Sequence, residues 1–418
     1  MSRLDTLLQE LCPDGVEYRP LWSVTFWDKR FQGVDKKKQP KVGNYHYLLA
    51  DELFSLSVDG GNVFLLSTGE KTGWTTEELA GDNLREGEVV TIPWGKSRPV
   101  VDCIKYYNGK FVTADNRIMS SLNPEVLLNK YLYYWVCSQG KLIDSFYRGS
   151  GIKHPEMAKV LDMEIPVPPL EVQREIVRIL DKFTQLRAEL SAELLAELSA
   201  RRIQYEHYRD EMLKFGDTVE WKELQEVFDI VDYRGKTPKK SSDGVFLVTA
   251  KNIRKGYIDY DASQEYIPCE DYEEVMHRGK PKIGDLLITT EAPCGNVALV
   301  DRDDIALAQR VIKYSAKNPD AIDMIFAKHY LLGTEFQKKL AKQATGGTVK
   351  GIKGSKLHVM KIPVPKTDVQ RKIARILSDF DAYIYNLENG LPAEINYRQL
   401  QYEFYRDKLL TFKRKVTA

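Results

Sequence analysis

Apolar residues recur at intervals of three and four over two long parts of the chain, and this spacing predicts two amphipathic helices. The repeated positions in the first part are Ile176, Ile179, Phe183, Leu186, Leu190, Leu194, Leu198, Arg201, Tyr205, Tyr208, Met212 and Phe215. Those in the second part are Ile373, Ile376, Phe380, Tyr383, Leu387, Leu391, Ile395, Arg398, Tyr402, Tyr405, Leu409 and Phe412. Such spacing with one irregular step is typical of a coiled-coil stripe, called the seam below. We expect the two helices to pack antiparallel along this seam.

The two helical segments are copies of one another. The first opens with Ile165-Pro-Val-Pro and closes with Gln204-Tyr-Glu-His-Tyr-Arg-Asp, and the second opens with Ile362-Pro-Val-Pro and closes with Gln401-Tyr-Glu-Phe-Tyr-Arg-Asp. Both ends are displaced by 197 residues, so neither copy has gained or lost a residue. At about 1.5 Å per residue each helix would extend roughly 65–70 Å, longer than a compact core requires. Two unrelated helices on separate domains would not explain the shared register.

One difference between the copies affects the helix itself. Asn389-Gly-Leu-Pro stands in the middle of the second copy, where the first copy has Ala192-Glu-Leu-Leu. Proline inside a helix removes a backbone hydrogen bond and clashes with the preceding turn. We therefore expect the second helix to kink or to restart near Pro392.

The segments that precede the long helices show the pattern of short strands and turns. Gly87-Glu-Val-Val-Thr-Ile-Pro and Gly284-Asp-Leu-Leu-Ile-Thr-Thr each read as a turn followed by a buried strand, again 197 residues apart. The predicted fold class is α+β, with two globular, strand-rich domains joined by two long α-helices that pack as an antiparallel coiled coil in a pseudo-two-fold repeat. The predicted boundaries are 1–164 and 216–361 for the globular domains, 165–215 for the first long helix, and 362–418 for the second long helix with a tail.

Composition narrows the possible partners and compartments. The 418 residues include 61 basic and 60 acidic side chains, so any surface that binds nucleic acid must be local. The five cysteines are scattered and form no Cys-x-x-Cys pair, which argues against a disulfide framework and a zinc site. The sequence shows neither a signal-type amino terminus nor an apolar run of membrane-spanning length. We expect a cytoplasmic protein.

Motifs for catalysis are weak. Tyr147-Arg-Gly-Ser-Gly fits an adenosylmethionine-binding loop, but the residues before it read as an amphipathic helix, and the second copy loses the glycine spacing. The two Asn-Pro pairs continue as Glu125 and Asp320, whereas an amino-methyltransferase needs Asn-Pro-Pro followed by an aromatic residue. Nucleotide-binding loops and histidine metal motifs are also missing from the sequence. The sequence therefore predicts no catalytic residue, no metal site and no cofactor, and a chain that is not an enzyme.

Basic residues cluster at loops in both halves. Glycine frees backbone amides and neighbouring lysines add positive charge, a combination that suits phosphate oxygens, and threonine and asparagine side chains can hydrogen-bond base edges. A charged run is more often only a solvated face, but its presence at loops of both halves favours a binding role. The candidate DNA-binding residues are Lys36, Lys37, Lys38, Lys96, Arg98, Arg117, Lys153, Arg234, Lys236, Thr237, Lys239, Lys251, Asn252, Arg254, Lys350 and Lys353.

These motifs together resemble the DNA specificity subunit of type I restriction-modification systems. The likeness covers nearly the whole chain. Its most specific parts are Val172-Gln-Arg through Leu180, Tyr205 to Asp210, their copies at 369–377 and 402–407, and Arg234-Gly-Lys-Thr-Pro with Thr345-Gly-Gly-Thr in the second half. The first half departs from the pattern, because it lacks Gly-Lys-Thr-Pro and carries Gly-Ser-Gly in place of Gly-Gly-Thr. The resemblance implies that the globular parts are target recognition domains and that the helices are an antiparallel spacer.

The resemblance also implies a non-catalytic subunit that selects the DNA sequence for other subunits. Each globular domain would read one half of a bipartite, asymmetric target in double-stranded DNA, and the helices would fix the spacer and dock modification subunits. Two modification subunits would bring adenosylmethionine and flip the target adenine, and restriction subunits would bring ATP-dependent translocation and cleavage. Helix residues expected in partner-subunit or coiled-coil contacts are Gln173, Arg174, Tyr205, Tyr208, Arg209, Gln370, Arg371, Tyr402, Tyr405 and Arg406.

An alternative from another class is a non-catalytic coiled-coil scaffold that binds proteins through both globular domains. The near-neutral charge of the chain fits that interpretation equally well. Salt-dependent binding of duplex DNA would distinguish the two, because only contacts with phosphates release counterions from DNA.

Overall fold

The computed structural model describes residues 2–96, 98–114, 117–150, 152–233, 238–347 and 349–415, and only the backbone of residues 388 and 389. These residues form two compact units. Unit 1 contains residues 1–192 and 393–418, and unit 2 contains residues 193–392. Both divisions fall inside the long helices, so each long helix contributes one segment to each unit.

The helices of unit 1 before the first long helix are short. They are α1 (Arg3–Leu11), α2 (Leu21–Val24), α3 (Ala50–Ser55), α4 (Glu77–Ala80), α5 (Asn129–Ser138), α6 (Gly140–Asp144) and α7 (Met157–Leu161), with 3-10 turns at Lys36–Lys38, Gly81–Asn83 and Val100–Asp102. A capping box starts α1, because the Ser2 hydroxyl accepts from the Asp5 N–H and the Asp5 carboxylate accepts from the Ser2 N–H.

The strands of unit 1 are β1 (Tyr18–Pro20), β2 (Thr25–Trp27), β3 (Val63–Leu66), β4 (Trp74–Thr75), β5 (Arg85–Ile92), β6 (Lys105–Thr113), β7 (Arg117–Ser121), β8 (Tyr147–Arg148), β9 (His154–Pro155) and β10 (Glu164–Pro166). Six of them form one sheet in the order β2-β7-β5-β6-β3-β4, in which only β3 and β6 are parallel. The pairing of β1 with β10 closes the unit, because its first strand lies beside the strand that precedes the long helix.

The first long helix, α8 (Leu170–Met212), contains 43 residues. Its start belongs to the core of unit 1, where Val172, Ile176 and Leu180 are fully buried and pack in one cluster with Tyr131 and Leu132 of α5. Burial of these three residues in the core fixes the direction in which the helix leaves the sheet.

Unit 2 repeats this plan with different strands. Its helices are α9 (Leu224–Val227), α10 (Tyr272–Val275), α11 (Met324–Leu332), α12 (Thr334–Gln343) and α13 (Gly354–His358), with a 3-10 turn at Cys269–Asp271. Its strands are β11 (Glu220–Glu223), β12 (Phe228–Asp232), β13 (Val245–Val248), β14 (Tyr266–Ile267), β15 (Leu286–Thr290), β16 (Cys294–Leu299), β17 (Ile305–Leu307), β18 (Val311–Ala316) and β19 (Lys361–Val364). They form an antiparallel sheet β12-β18-β15-β16 and a smaller sheet β14-β13-β17, and β11 pairs with β19 as β1 does with β10.

The second long helix, α14 (Thr367–Leu409), also contains 43 residues and continues without interruption through Pro392. The expected restart at this proline is therefore wrong. Pro392 is exposed, so the carbonyl group that loses its intrahelical donor can bind water instead. The predicted fold class is confirmed: strands and short helices form two units, and two long helices of equal length join them.

Candidate nucleic-acid interface

A glycine-centred loop recurs at the same place in both units. Gly149 and Gly346 lie 197 residues apart, and both have positive φ, at +134° and +130°. A Cβ atom at Gly346 would collide with the carbonyl oxygen of Val349, so the loop requires glycine for both reasons. Four residues after each glycine stands an exposed lysine, Lys153 in unit 1 and Lys350 in unit 2. Neither lysine side chain forms an ion pair with another described residue.

Backbone hydrogen bonds fix this loop in unit 2. The N–H groups of Thr345 and Gly351 donate to each other's carbonyl oxygens at 2.8 and 2.9 Å, and the Ile352 N–H donates to the carbonyl oxygen of Thr290 at 2.9 Å. The loop is thereby attached to the end of β15. Its lysines, Lys350 and Lys353, are exposed, so their ammonium groups can reach a phosphate from a rigid base.

A cleft beside this loop contains one cation that the sequence analysis missed. Arg310 Nε lies 3.8 Å from Glu291 Oε2, and both side chains line the cleft with Gln309 and Lys353. Arg310 lies outside the basic runs of the sequence, and only the fold brings it to the loop. An arginine in such a cleft could hydrogen-bond a base edge or a phosphate.

In unit 1 the structure brings Lys96 and Lys153 together. The Lys96 N–H donates to the Lys153 carbonyl oxygen at 3.2 Å, and the Lys96 ammonium forms an ion pair with Asp144. Partial burial and the nearby charge of Lys153 lower the pKa of Lys96. Trp94, which the sequence analysis also missed, is 40% exposed and packs against His154 with ring centroids 4.2 Å apart. Lys153 with this aromatic pair is the accessible part of the site.

Three other basic candidates of unit 1 are held by contacts inside the unit. Lys38 Nζ lies 2.5 Å from an oxygen of Asp162. Arg98 donates to Glu70 at 2.6 Å. Arg117 is only 8% exposed, and its guanidinium lies 5.3 Å from the centre of the Phe31 ring. The positive charges of these three side chains are therefore neutralised by carboxylates or buried within unit 1. Lys36 and Lys37, by contrast, are exposed on their 3-10 turn.

Asn252 corrects a prediction. The residue is fully buried, and both halves of its side-chain amide are saturated. Its Oδ1 accepts from the N–H and the hydroxyl of Thr249 at 3.0 and 2.8 Å, and its Nδ2 donates to the carbonyl oxygens of Asp259 and Ser263 at 3.0 and 2.8 Å. No donor or acceptor remains for a base edge, so Asn252 holds the loop together rather than reading DNA.

The remaining candidates of unit 2 differ in exposure. Lys239 and Lys251 are exposed, and Arg254 Nε lies 3.2 Å from a carboxylate oxygen of Asp259. Three predicted contact residues lie outside the described residues, so their prediction stays open. They are Arg234, Lys236 and Thr237.

The helix seam forms inside each unit. In unit 1, Phe183 packs against Tyr405 with ring centroids 6.2 Å apart, and Arg187, further along α8, donates to Gln399, which lies earlier on α14. From one contact to the next, the residue numbers increase on α8 and decrease on α14, so the two helices pack antiparallel. In unit 2 the counterpart pair, Tyr208 and Phe380, has the same ring separation of 6.2 Å.

On α8 the residues at the centre of the seam are shifted by one position along the sequence from those that were predicted. Phe183 and Leu186 are 39% and 46% exposed and lie at its edge. Thr184 and Arg187 point inward instead: the Thr184 hydroxyl lies 3.5 Å from the Tyr402 hydroxyl, and the Arg187 guanidinium lies 4.9 Å from the centre of the Tyr402 ring. A polar residue at such a position cannot be found from an apolar pattern.

Among the other predicted helix residues, the arginines divide into two groups. Arg209 and Arg406 lie against the seam tyrosines, at 5.7 and 5.9 Å from the ring centres of Tyr205 and Tyr402. Arg406 is 6% exposed and pairs with the neighbouring aspartate at 2.7 Å. Arg174 and Arg371 are exposed instead, so among these four predicted arginines they are the two that are open to a partner chain.

Gln173 and Gln370 were expected in partner or coiled-coil contacts, and the structure corrects this. Both are fully buried within their own units. Gln173 accepts from the Leu128 N–H at 2.9 Å and donates to the carbonyl oxygens of Val126 and Pro168 at 2.8 Å each. In the same way, Gln370 accepts from the Asp323 N–H at 2.9 Å and donates to the carbonyl oxygens of Ala321 and Pro365 at 2.9 and 2.7 Å. These side chains attach the start of each long helix to the preceding globular loop.

Comparison with known proteins settles the family. The sequence profile of the type I restriction modification DNA specificity domain matches residues 40–200 and 217–397. The chain belongs to this family. It is 31% identical to the specificity subunit of the type I restriction enzyme EcoR124I/EcoR124II of Escherichia coli, over 100% of this chain and 99% of that protein. A putative type I restriction enzyme specificity subunit of Haemophilus influenzae is 30% identical over 78% of this chain and 83% of that protein.

Solved structures share the fold. One, determined in a study of complex assembly and conformational transition of the type I R-M system, has a TM-score of 0.65 at 18% identity and covers 96% of this chain and 98% of that one. The HsdS subunit of Thermoanaerobacter tengcongensis has a TM-score of 0.53 at 17% identity, with coverage of 96% and 97%. As a type I specificity subunit the chain is a DNA-recognition subunit and not a catalytic one, and it assembles with modification and restriction subunits.

The described ranges contain neither a metal-binding cluster nor a membrane-spanning helix. Within them, no three or more histidine, cysteine, aspartate or glutamate side chains are grouped so that they could hold a metal ion. No described helix combines the length and apolar character needed to cross a membrane.

Proposed function

We propose that each unit of this specificity subunit reads one half of a bipartite, asymmetric DNA target. The observation that carries the proposal is the repeated glycine loop with its exposed lysine, Lys153 in unit 1 and Lys350 in unit 2. The surroundings of the two loops differ: Trp94 and His154 lie beside the first, and Arg310 and Gln309 lie beside the second. A shared phosphate contact with different neighbours suits two domains that bind DNA alike and read different bases. In this role the protein acts in the cytoplasm with the DNA.

The long helices would set the distance between the two half-sites. Both contain 43 residues, and they contact each other through equivalent residues in each unit. A seam with fixed register gives a rigid spacer, because sliding one helix past the other would separate Phe183 from Tyr405 and Arg187 from Gln399.

We place two modification subunits on the helices, one at each unit. Ile203 on α8 is 66% exposed in unit 2, and its counterpart Leu400 on α14 is 57% exposed in unit 1. Exposed apolar side chains at equivalent positions outside the seam suit two copies of one partner. The exposed arginines Arg174 and Arg371 repeat in the same way. The modification subunits would supply adenosylmethionine and flip the target adenine, and restriction subunits would join this complex for ATP-dependent cleavage.

Methylation mapping tests the proposal. The purified chain alone should transfer no methyl group, and the chain co-expressed with modification subunits should methylate adenine within one bipartite motif. Exchanging residues 219–345 for those of a relative with another target should replace one half-site and keep both the other half-site and the spacing. A change in both half-sites, or methyl transfer by the isolated chain, would contradict the proposed division of labour.

A further inference from the structure

An exposed aliphatic side chain stands directly before the loop lysine in both units. Ile152 precedes Lys153 in unit 1, and Val349 precedes Lys350 in unit 2, 197 residues further along the chain. The two aliphatic side chains are 66% and 50% exposed. Single exposed apolar residues are common on protein surfaces. Here, however, the same kind of residue recurs at one position of two loops whose neighbours differ, which indicates a common role.

The structure holds Ile152 at a defined place in unit 1. The Lys96 N–H donates to the Lys153 carbonyl oxygen at 3.2 Å, so the segment that carries Ile152 is attached to the segment that follows β5. A Cβ atom at Gly95 would lie 2.5 Å from Cγ2 of Ile152. Only glycine at position 95 therefore leaves room for this side chain, which projects from a fixed backbone with most of its surface uncovered.

Val349 occupies the equivalent place in unit 2. A Cβ atom at Gly346 would lie 2.2 Å from the Val349 carbonyl oxygen, and one at Gly149 would lie 3.0 Å from the Ile152 carbonyl oxygen. In both loops the backbone of the aliphatic residue therefore lies against the glycine. The two loops thus present a β-branched side chain in the same way, on backbones that their glycines shape alike.

An aliphatic side chain has few possible contacts on duplex DNA. It cannot hydrogen-bond phosphate oxygens, so it contributes to binding only where it covers apolar surface. Among the base edges exposed in the grooves, the apolar group is the 5-methyl group of thymine, which lies in the major groove. The exposed lysine that follows each aliphatic residue supplies positive charge for a phosphate beside that base. Each loop therefore pairs a phosphate contact with a side chain suited to a thymine methyl group.

The recurrence of the aliphatic residue indicates which thymine it contacts. The two units would read different half-sites, so a residue type common to both loops suits a feature that both half-sites share. Under the proposed function each half-site contains one adenine that is methylated, and therefore also the thymine paired with it. That thymine stays in the helix when its adenine is flipped out. A contact with its methyl group can thus persist during methyl transfer.

We propose that Ile152 and Val349 are specificity-determining residues that contact the 5-methyl group of the thymine opposite the target adenine, Ile152 in the half-site of unit 1 and Val349 in that of unit 2. This inference rests on the proposed function, which brings one adenine of each half-site to a modification subunit. The chain would then recognise the base pair to be methylated through the strand that does not receive the methyl group at that pair. A cytosine at the same place lacks the methyl group and is disfavoured.

Deoxyuridine substitution tests this contact, because it removes the methyl group of a thymidine and keeps the pairing with adenine. Methylation mapping first identifies the two target adenines. The complex of the full chain with modification subunits is then titrated, by fluorescence anisotropy at constant salt, with duplexes that carry deoxyuridine opposite one target adenine. In either half-site the substitution should weaken binding by about fourfold, as expected for one buried methyl group. Deoxyuridine in the spacer should leave the affinity unchanged.

Variants of the chain assign the effect to the two residues. Ile152→Ala should lower the thymidine-to-deoxyuridine ratio in the half-site of unit 1 to less than about 1.5-fold and leave the ratio in the other half-site near fourfold. Val349→Ala should do the reverse, so each variant is the control for the other. Ile152→Val keeps the branched methyl groups and should keep most of the ratio. Leu79→Ala, at a leucine of unit 1 that is 47% exposed, should change neither ratio.

The outcomes separate the two levels of the argument. If mapping finds no bipartite motif, or the exchange of residues 219–345 changes both half-sites, the proposed function itself is wrong. If the motif is bipartite and deoxyuridine does not weaken binding by the unaltered complex, only the methyl contact is wrong. A ratio that stays near fourfold in both alanine variants would assign the methyl group to other residues and overturn the inference as well.

Discussion

Gln173 and Gln370 occupy the same position in the two repeats, and each side-chain amide accepts one backbone N–H and donates to two carbonyl groups. Both are fully buried. The bonds join the first turn of each long helix to the loop before an aromatic-rich helix of the same unit. In each unit this glutamine therefore acts with the buried apolar residues of the first turns to fix the angle between the globular part and its helix segment.

Replacing Gln173 by alanine should destabilise unit 1 by about 3 kcal/mol, because it leaves one buried N–H and two buried carbonyl groups without their partner. Gln173→Glu should cost at least as much, since a carboxylate cannot donate to the two carbonyls. The control is Arg174→Ala, at the exposed neighbour, which should change stability by less than about 0.5 kcal/mol. Urea unfolding monitored by fluorescence measures the differences, and equal effects at positions 173 and 174 would contradict this role.

Asn252→Ala should destabilise unit 2 by about 2–4 kcal/mol, because four hydrogen bonds of a buried amide are lost. Its effect on DNA should be loss of binding to every sequence alike, in proportion to the fraction unfolded. Asn252→Asp tests the same point, since the carboxylate can still accept from Thr249 but cannot donate to the carbonyls of Asp259 and Ser263. Binding of cognate and singly mismatched duplexes distinguishes the outcomes. Relaxed discrimination at one base pair with unchanged stability would restore Asn252 as a base-reading residue.

Lys350→Ala or Lys353→Ala should weaken binding to cognate and unrelated duplexes by the same factor. Each exposed ammonium is expected to neutralise one phosphate, so the slope of log K against log salt should fall by about 1. Lys222→Ala is the matched control, because the Lys222 ammonium already lies 3.2 Å from Glu220. Fluorescence anisotropy at several salt concentrations measures both quantities. An unchanged salt slope in both loop variants would remove the glycine loop from the DNA contact.

Asp28 gives unit 1 a specific pH dependence. Burial raises the pKa of its carboxyl to about 6, although the Tyr47 hydroxyl donates to one oxygen. The folded state therefore binds more protons than the unfolded state between about pH 4 and pH 6, and stability falls as the pH rises through that window. Asp28→Asn should remove this loss and stabilise unit 1 above pH 6 by roughly 1–3 kcal/mol. Thermal unfolding of the variant and of Asp59→Asn, at an exposed carboxylate, should show the effect only at position 28.

The repeat and the long helices could be predicted from the sequence. The periodicity of the apolar residues and the constant separation of 197 residues between the copies can be read without knowing how the chain packs. The interior of the seam could not. Thr184 and Arg187 lie in it beside Tyr402, and a pattern of apolar residues cannot predict polar side chains at such positions.

The candidate interface was harder to predict for a related reason. Lys96 and Lys38 are basic residues, but their charges are neutralised by ion pairs with Asp144 and Asp162. These partners lie 48 and 124 residues away in the sequence, so the pairing cannot be seen without the fold. Asn252 is polar and stands beside lysines, yet the fold turns it inward. The repeated glycine loops could be predicted from the sequence. A glycine that adopts positive φ and the lysine that follows it lie close together in the chain, so no knowledge of the fold is needed to recognise them.

The length of the helices should control the spacing of the two half-sites and nothing else. Four residues inserted after Ala196 in α8 and after its counterpart Ala393 in α14 add just over one helical turn to each, about 6 Å at 1.5 Å per residue, more than one base-pair step of roughly 3.4 Å. The paired insertion keeps the two helices equal, so the contacts Phe183–Tyr405 and Tyr208–Phe380 can persist within their units. Mapping of methylated adenines in cells that also express modification subunits should therefore show a longer spacer between two unchanged half-sites. An insertion in α8 alone is the control, because it mismatches the seam and should lower methylation overall. If the paired insertion rewrote a half-site sequence, or left the spacer unchanged while activity remained, the helices would not be the element that measures distance.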